Sequence, residues 1–354
     1  MVNWMILMGI FDAKMFQDLP KKGIVMKKAL IIGIDHYTHF EKSNLSGCVN
    51  DAEKVELLLS RNAVCNKEDE VNFECKLLTS RKLQDKEEGI SRAYVQKHIK
   101  ELFEDEEADV ALLYFSGHGF ESSLGGYLVT QDAKQYEEGV SVHDVMTYAN
   151  NSTIKEIIII LDCCFAGNMG EFAVLKSGNA LLRKGISILT SSGSHEVSLE
   201  SRNGHGVFTQ MICDVLESGG DLLGNVKVSH LYEHTDELLR AWEQRPYCKM
   251  NVSRLSTLRK NKPKIERTIL RNLRKYFNAK NELQFQPTPE YEDTSKTADP
   301  EKVKVFKELQ KCFYQGLVVP VDAPNMYDVA MNSKTCKLTG MGMFYRSLVV
   351  KNAI

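Results

Sequence analysis

At 354 residues, with 43% hydrophobic and 26% charged positions, the chain is long enough to bury one large core and leave room for a smaller second unit. A formal net charge of -2 removes any global attraction to nucleic acid or an anionic membrane, so such a partner needs a local basic patch. Nine cysteines, an odd number scattered over a large chain with no C-x-x-C pair, argue against a disulfide framework or structural zinc and favour a reducing, cytoplasmic setting.

The apolar stretch from Val2 to Phe11 is too short to span a bilayer, lacks a basic flank and runs into Asp12, so it reads as neither a membrane span nor a secretory leader. Met26, followed by Lys27 and Lys28, is an alternative start, and residues 1–27 read as an N-terminal extension. Continuous apolar runs follow: ALIIGI (29–34), DVALLYF (109–115), IIIIL (157–161) and GISILT (185–190). Runs of this length without alternation are the signature of strands covered on both faces. Amphipathic spacing predicts helices over Asn50 to Arg61, Ser91 to Phe103, Ser141 to Tyr148, Val207 to Glu217 and Ser229 to Trp242. The expected class is therefore α/β in three layers around a mostly parallel sheet.

In such sheets functional groups collect beyond the carboxyl ends of the strands. The run at 109–115 is followed by Ser116-Gly117-His118-Gly119, and the run at 157–161 by Asp162-Cys163-Cys164-Phe165-Ala166-Gly167. A thiol is a weak nucleophile at its free pKa; an imidazole beside it lowers that value and later protonates a leaving amine. A Cys and a His on neighbouring strand ends therefore suit peptide-bond cleavage. The glycines bracketing His118, including Gly119, are expected to let the backbone turn sharply beside a substrate, and Gly167 to let backbone amides approach a developing oxyanion.

Toward the C-terminus a basic run from Arg254 to Lys275 precedes a polar, proline-containing stretch from Phe285 to Pro300 that reads as a linker. Without interleaved aromatics the basic run reads as a solvated helix face, with nucleic acid as the alternative. Glu301 to Gln315 has helical spacing, and 338–349 reads as an amphipathic helix after a turn, winged-helix-like in outline. The expected units are thus a principal domain at 28–255, a basic helix and linker at 256–300, and a small, mainly helical domain at 301–354.

The stretches LIIGIDHY (30–37), LSGCVNDA (45–52), LLYFSGHG (112–119), GGYLVTQD (125–132) and IILDCCFAG (159–167) occur in the order found in caspase-like cysteine peptidases. Over residues 28 to 253 the chain resembles that family, in its metacaspase and bacterial caspase-homologue branch. The resemblance implies a six-stranded sheet and a Cys-His dyad of Cys164 and His118, with Phe165 and Ala166 departing from the usual His-Ser. It implies that Asp51 and Asp162 line the S1 pocket and direct cleavage after Arg or Lys. For Asp51 a helix N-cap is an equal alternative.

No cofactor is required for this chemistry. Calcium activation is the one metal expectation, with Asp132, Asp144 and Glu171 the nearest equivalents of the family's ligands; His143 stands where an acidic ligand is expected, which weakens the case. The segment 168–184 is either a processing loop, cut after a basic residue such as Lys176, Arg183 or Lys184, or an ordinary crossover. The implied partners are a protein substrate and an activating or inhibitory protein at the C-terminal domain, with no membrane. By family analogy the setting is a prokaryotic defence or cell-death pathway. A silent scaffold of the same fold is the alternative, expected where the Cys or His is lost; both are present.

Overall fold

The computed structural model describes residues 25–64, 70–81, 89–122, 125–163, 182–191, 205–239, 246–278 and 283–354. The first strand, β1 (Lys27–Gly33), leads to helix α1 (Cys48–Ser60), β2 (Glu74–Thr79), α2 (Arg92–Phe103) and β3 (Val110–Ser116). A three-stranded antiparallel sheet of β4 (Gly119–Ser122), β5 (Gly125–Lys134) and β6 (Glu137–Ser141) precedes α3 (Val142–Asn151), β7 (Glu156–Asp162) and β8 (Ile186–Thr190). Then come α4 (Val207–Ser218), β9 (Asn225–Val226), α5 (Val228–Leu239), β10 (Tyr247–Asn251) and β11 (Arg259–Lys260).

The central sheet has six strands in the order β10-β8-β7-β3-β1-β2. All neighbours pair in parallel except the edge strand β10. The continuous apolar runs of the sequence resolve into two faces, because successive side chains on a strand point oppositely. Leu30, Ile32, Leu113, Ile157 and Ile159 pack with Val95, Ile99, Phe103 and Val145 of α2 and α3. Ala29, Ile31, Leu112, Ile158 and Ile160 pack with Val55, Leu59, Ile212 and Leu231 of α1, α4 and α5. Burial on both faces leaves only the strand ends open to solvent, which fixes where a site can form.

The remaining helices and strands build a second core. They are α6 (Arg267–Tyr276), β12 (Gln284–Phe285), α7 (Pro300–Tyr314), β13 (Val318–Val321), α8 (Met326–Met331), β14 (Thr335–Leu338) and α9 (Gly340–Val350). Ile269, Leu270 and Leu273 of α6 share this core with Phe306 and Leu309 of α7 and with Tyr345 of α9. The stretch from Phe285 to Pro300, expected as a linker, is folded onto this unit. Phe285 pairs with Cys336, Tyr291 packs edge-on to Phe285 at 5.5 Å, and Glu292 is buried. Its prolines and polar residues form a 3-10 turn at Pro289–Tyr291 and cap the start of α7, where Asp299 accepts from the Glu301 and Lys302 amides. A polar stretch that supplies caps and turns looks, in sequence, like one that supplies only length. Among the described residues no helix is long and apolar enough to cross a membrane.

Candidate active site

Gly33, Ser116 and Asp162 are register partners across β1, β3 and β7, so three adjacent strands end in line. His118 stands two residues beyond Ser116, and Cys164 two residues beyond Asp162. With strands about 4.8 Å apart, the register brings the two chain exits side by side. The Gly117 amide ties them by donating to the Asp162 carbonyl at 3.3 Å. Cys164, Gly167 and Glu171 lie outside the described residues, as does most of the expected processing loop. Arg183 at its end is anchored: its guanidinium donates to the carbonyls of Ala149, Ile154 and Lys184.

Cys163 is buried at 2% exposure on the same face of the sheet as Leu161. Alternation along an extended chain therefore spends the first cysteine of the pair on the core. Burial also pushes the thiols of Cys48, Cys75, Cys213, Cys248, Cys312 and Cys336 up. A thiol held up in this way is a poor nucleophile at neutral pH.

The His118 ring is held from two sides. Nε2 lies 2.6 Å from the Ser43 carbonyl oxygen, which can only accept, so Nε2 carries the proton and a neutral ring leaves Nδ1 as the free base. The backbone amide of His118 donates to the Tyr37 hydroxyl at 2.7 Å, and that hydroxyl donates to the Ile34 carbonyl at 3.1 Å. The expected role of the flanking glycines is corrected here. Neither Gly117 nor Gly119 is among the positive-φ glycines, and Gly119 is a strand residue paired with Leu128. At Gly117 a Cβ would stand 2.9 Å from the Tyr37 hydroxyl oxygen, so that glycine makes room for the tyrosine.

Asp51 and Asp162 meet at the start of α4. Asp51 does not cap its own helix: the α1 amides of Cys48 and Val49 donate to Asp35, and Asp51 lies in the first turn with its carboxylate turned inward. It accepts the Gly206 amide at 3.1 Å on Oδ2, and the His205 ring nitrogen Nδ1 lies 2.8 Å from Oδ1. Asp162 Oδ2 accepts the Thr209 hydroxyl at 2.6 Å, and Thr209 in turn accepts from the Tyr114 hydroxyl at 2.6 Å. Gly206 sits between the two acids: a Cβ there would lie 3.0 Å from one oxygen of each. Burial first, and then the Asp162 charge, push the Asp51 carboxyl up to about 8, against the Gly206 amide and the Ser116 hydroxyl. Burial likewise pushes Asp162 up, against the Thr209 hydroxyl.

Of the residues expected to hold calcium, Asp132 and Asp144 are described and Glu171 is not. Asp132 accepts from the Arg92 amide at 2.9 Å and from the Thr130 hydroxyl at 2.7 Å, Asp144 faces the Gln96 side-chain amide, and the His143 amide donates to Ser141. Among the described residues no three His, Cys, Asp or Glu side chains gather as metal ligands.

The profile of the caspase domain, a cysteine peptidase domain, matches residues 26–278. The chain belongs to the caspase domain family. The match includes every site residue described above and runs through α6, past the boundary at 255 expected from the sequence. Among solved structures the chain is similar to caspase-1 from Spodoptera frugiperda. The two are 14% identical, over 67% of this chain and 91% of that one, with a TM-score of 0.45. No curated protein matches the sequence.

Two residues of this caspase domain were not singled out from sequence. Tyr37 lies inside the apolar-ended run IDHY, and His205 stands in GHGVFT, a His-Gly pair just before an apolar helix start. The second carries a local signal, since it repeats the His-Gly step of His118 and Gly119. Tyr37 carries none, because its role depends on a chain segment eighty-one residues away.

Proposed function

We propose that this chain is a cysteine endopeptidase that cleaves protein substrates after Arg or Lys, with Cys164 as nucleophile and His118 as base. One observation carries the specificity. Asp51 and Asp162 are two neighbouring acids that, among the described residues, no Lys or Arg neutralises and only the ring nitrogen of His205 approaches. Ionising two neighbouring desolvated carboxyl groups without a cation between them is costly, and a guanidinium or ammonium group entering from a substrate relieves that cost. An acidic side chain at the same place would add to it.

In the reaction, Nδ1 of His118 takes the Cys164 thiol proton and the thiolate adds to the scissile carbonyl carbon. The backbone amides at Gly119 and Gly167 receive the developing oxyanion. Collapse breaks the C–N bond as the imidazolium returns its proton to the leaving amine. A water deprotonated by the same nitrogen then hydrolyses the thioester and frees the thiol.

The test is release of a reporter from peptides ending in Arg, Lys or Asp, by the wild-type chain and Cys164→Ala, with calcium present and then chelated. Release after Arg and Lys that disappears in the variant is the expected result; release after Asp overturns the pocket. Loss of release on chelation would assign calcium as activator, with Asp132, Asp144 and Glu171 the residues to vary. We further place the protein in the cytoplasm, in a defence or cell-death pathway, with the unit carrying α7 to α9 as the contact for a regulatory protein. Exposed Met341, Met343 and Phe344 on α9 supply an apolar surface for that contact.

A second reading has its own observation. Arg267, Arg271, Arg274 and Lys275 lie on the exposed side of α6, and Arg267, Arg274 and Lys275 have no acidic partner among the described residues. Binding of nucleic acid by this face would weaken steeply with salt. Affinity independent of salt, or absent, would dispose of it.

A further inference from the structure

We propose that His205 is a specificity-determining cover on the basic-residue pocket, occupying the outward oxygen of Asp51 until a substrate cation displaces it. The inference rests on the reading of Asp51 and Asp162 as that pocket. Its basis is positional. The Asp51 side chain is 2% exposed and the His205 side chain 25%, so the imidazole is the member of the pair that reaches solvent. It touches Oδ1, while the backbone amide of the next residue, Gly206, bonds both oxygens. The amide holds the carboxylate permanently, and the imidazole is the partner that can leave.

Gly206 strengthens the assignment. Its φ of -66° and ψ of 137° suit any residue, so the backbone does not demand glycine. What excludes a side chain is the space between the two carboxylates, where a Cβ would crowd both. The chain thus passes between the acids with nothing but hydrogen on Cα, and the first side chain before them is the imidazole. Among the described residues the ring nitrogen set against this pair is that of His205, and imidazole is the side chain type able to carry or lack a charge in the physiological range.

Charge decides the consequence. A neutral imidazole yields its place to a guanidinium at the cost of one hydrogen bond. An imidazolium is itself the cation the carboxylates lack, and it competes with the substrate. The other titratable groups around Asp51 are Cys48 on α1, Asp35 before it, Asp162 on β7, Tyr114 on β3 and Cys213 on α4, with Lys54 and Glu217 paired to each other beyond Cys213. Burial holds Cys48, Tyr114 and Cys213 protonated throughout the neutral range. Asp51 contributes a pH dependence of its own, which survives when His205 is replaced.

The experiment uses the full chain carrying Cys164→Ala, so that binding is read without turnover. A tetrapeptide amide ending in Arg is titrated calorimetrically between pH 5.5 and 7.5 against that protein and against the same protein with His205→Gln or His205→Lys. The same peptide ending in citrulline, the neutral analogue, is the control. A protonated imidazole competes with the guanidinium of the peptide, so binding weakens as pH falls beyond any effect of Asp51. The ratio of dissociation constants, parent protein to His205→Gln, is therefore expected to rise severalfold as pH falls from 7.5 to 5.5. His205→Lys, with its permanent charge, should bind the Arg peptide weakly at every pH while melting at the parent temperature. A ratio that stays flat, with the Arg peptide still preferred over citrulline, overturns the role of His205 and leaves the pocket standing. Equal binding of the Arg and citrulline peptides by the parent protein overturns the pocket, and this inference with it.

Discussion

The Tyr37 hydroxyl oxygen lies 2.7 Å from the backbone nitrogen of His118, and the two rings face each other at 4.9 Å and a tilt of 39°. One buried tyrosine thereby fixes both the main chain and the ring plane of the proposed base. With Nε2 committed to the Ser43 carbonyl, the free lone pair on Nδ1 has a single direction.

Tyr37→Phe keeps the ring contact and removes the hydroxyl, leaving the His118 amide and the Ile34 carbonyl each without a bond the hydroxyl made. Loss of about 1–3 kcal/mol of stability is expected, measured as a shift in urea midpoint at constant slope. In a peptide-cleavage assay kcat should fall about tenfold with KM little changed, because a displaced base affects the chemical step more than binding.

Asp51 ties stability to pH in the sense opposite to most carboxylates. In the folded chain its carboxyl keeps a proton up to about pH 8, whereas its ordinary value is 3.8. Between those values the folded state binds a proton that the unfolded state has released. The Asp51 contribution therefore falls as pH rises through that window, by up to about 1.4 kcal/mol per pH unit. Asp51→Asn should melt with a flatter pH profile between pH 5 and 8, and be relatively more stable at the alkaline end. The same variant should lose most cleavage after Arg; an unchanged melting profile would show that Asp51 is ionised throughout.

Gly206→Ala tests the narrow passage between the acids. Its backbone tolerates alanine, but the new methyl carbon would lie 3.0 Å from Asp51 Oδ2 and from Asp162 Oδ2. Both carboxylates are tied elsewhere, so the methyl spreads them. KM for Arg peptides should rise about tenfold while kcat changes little, a loss of binding alone.

Thr209→Val replaces a fully buried hydroxyl by a methyl of similar size. It leaves Asp162 Oδ2 without that donor and the Tyr114 hydroxyl without its acceptor. About 1–3 kcal/mol of stability should be lost, read from the denaturation midpoint. Tyr114→Phe combined with it should cost less than the sum, because the two hydroxyls belong to one chain of bonds.

The strands at the centre of the sheet were legible because a strand buried on both faces must be apolar at every position, and that requirement is written locally. Within the described residues the predicted helices matched to within a few positions, the end expected at Trp242 lying outside them; α1 begins at Cys48 rather than Asn50, two residues earlier than its apolar spacing shows. His118 and the cysteine pair were legible as reactive residues following such runs. Caps and turns at 285–300 were not distinguishable from a linker, since both use polar residues and proline.

What the amino-acid sequence determined by itself was therefore the identity of the strands, the class of the fold and the two residues proposed for the chemistry. The tertiary structure alone decided the alignment of Gly33, Ser116 and Asp162, the hold of Tyr37 on His118, and the meeting of Asp51 with His205 across 154 residues of chain. Periodicity states which face a side chain takes, but not the register between strands or the helix end that comes to rest on a carboxylate. Those are settled only when the two layers of helices close on the sheet and every buried polar group has to find its partner.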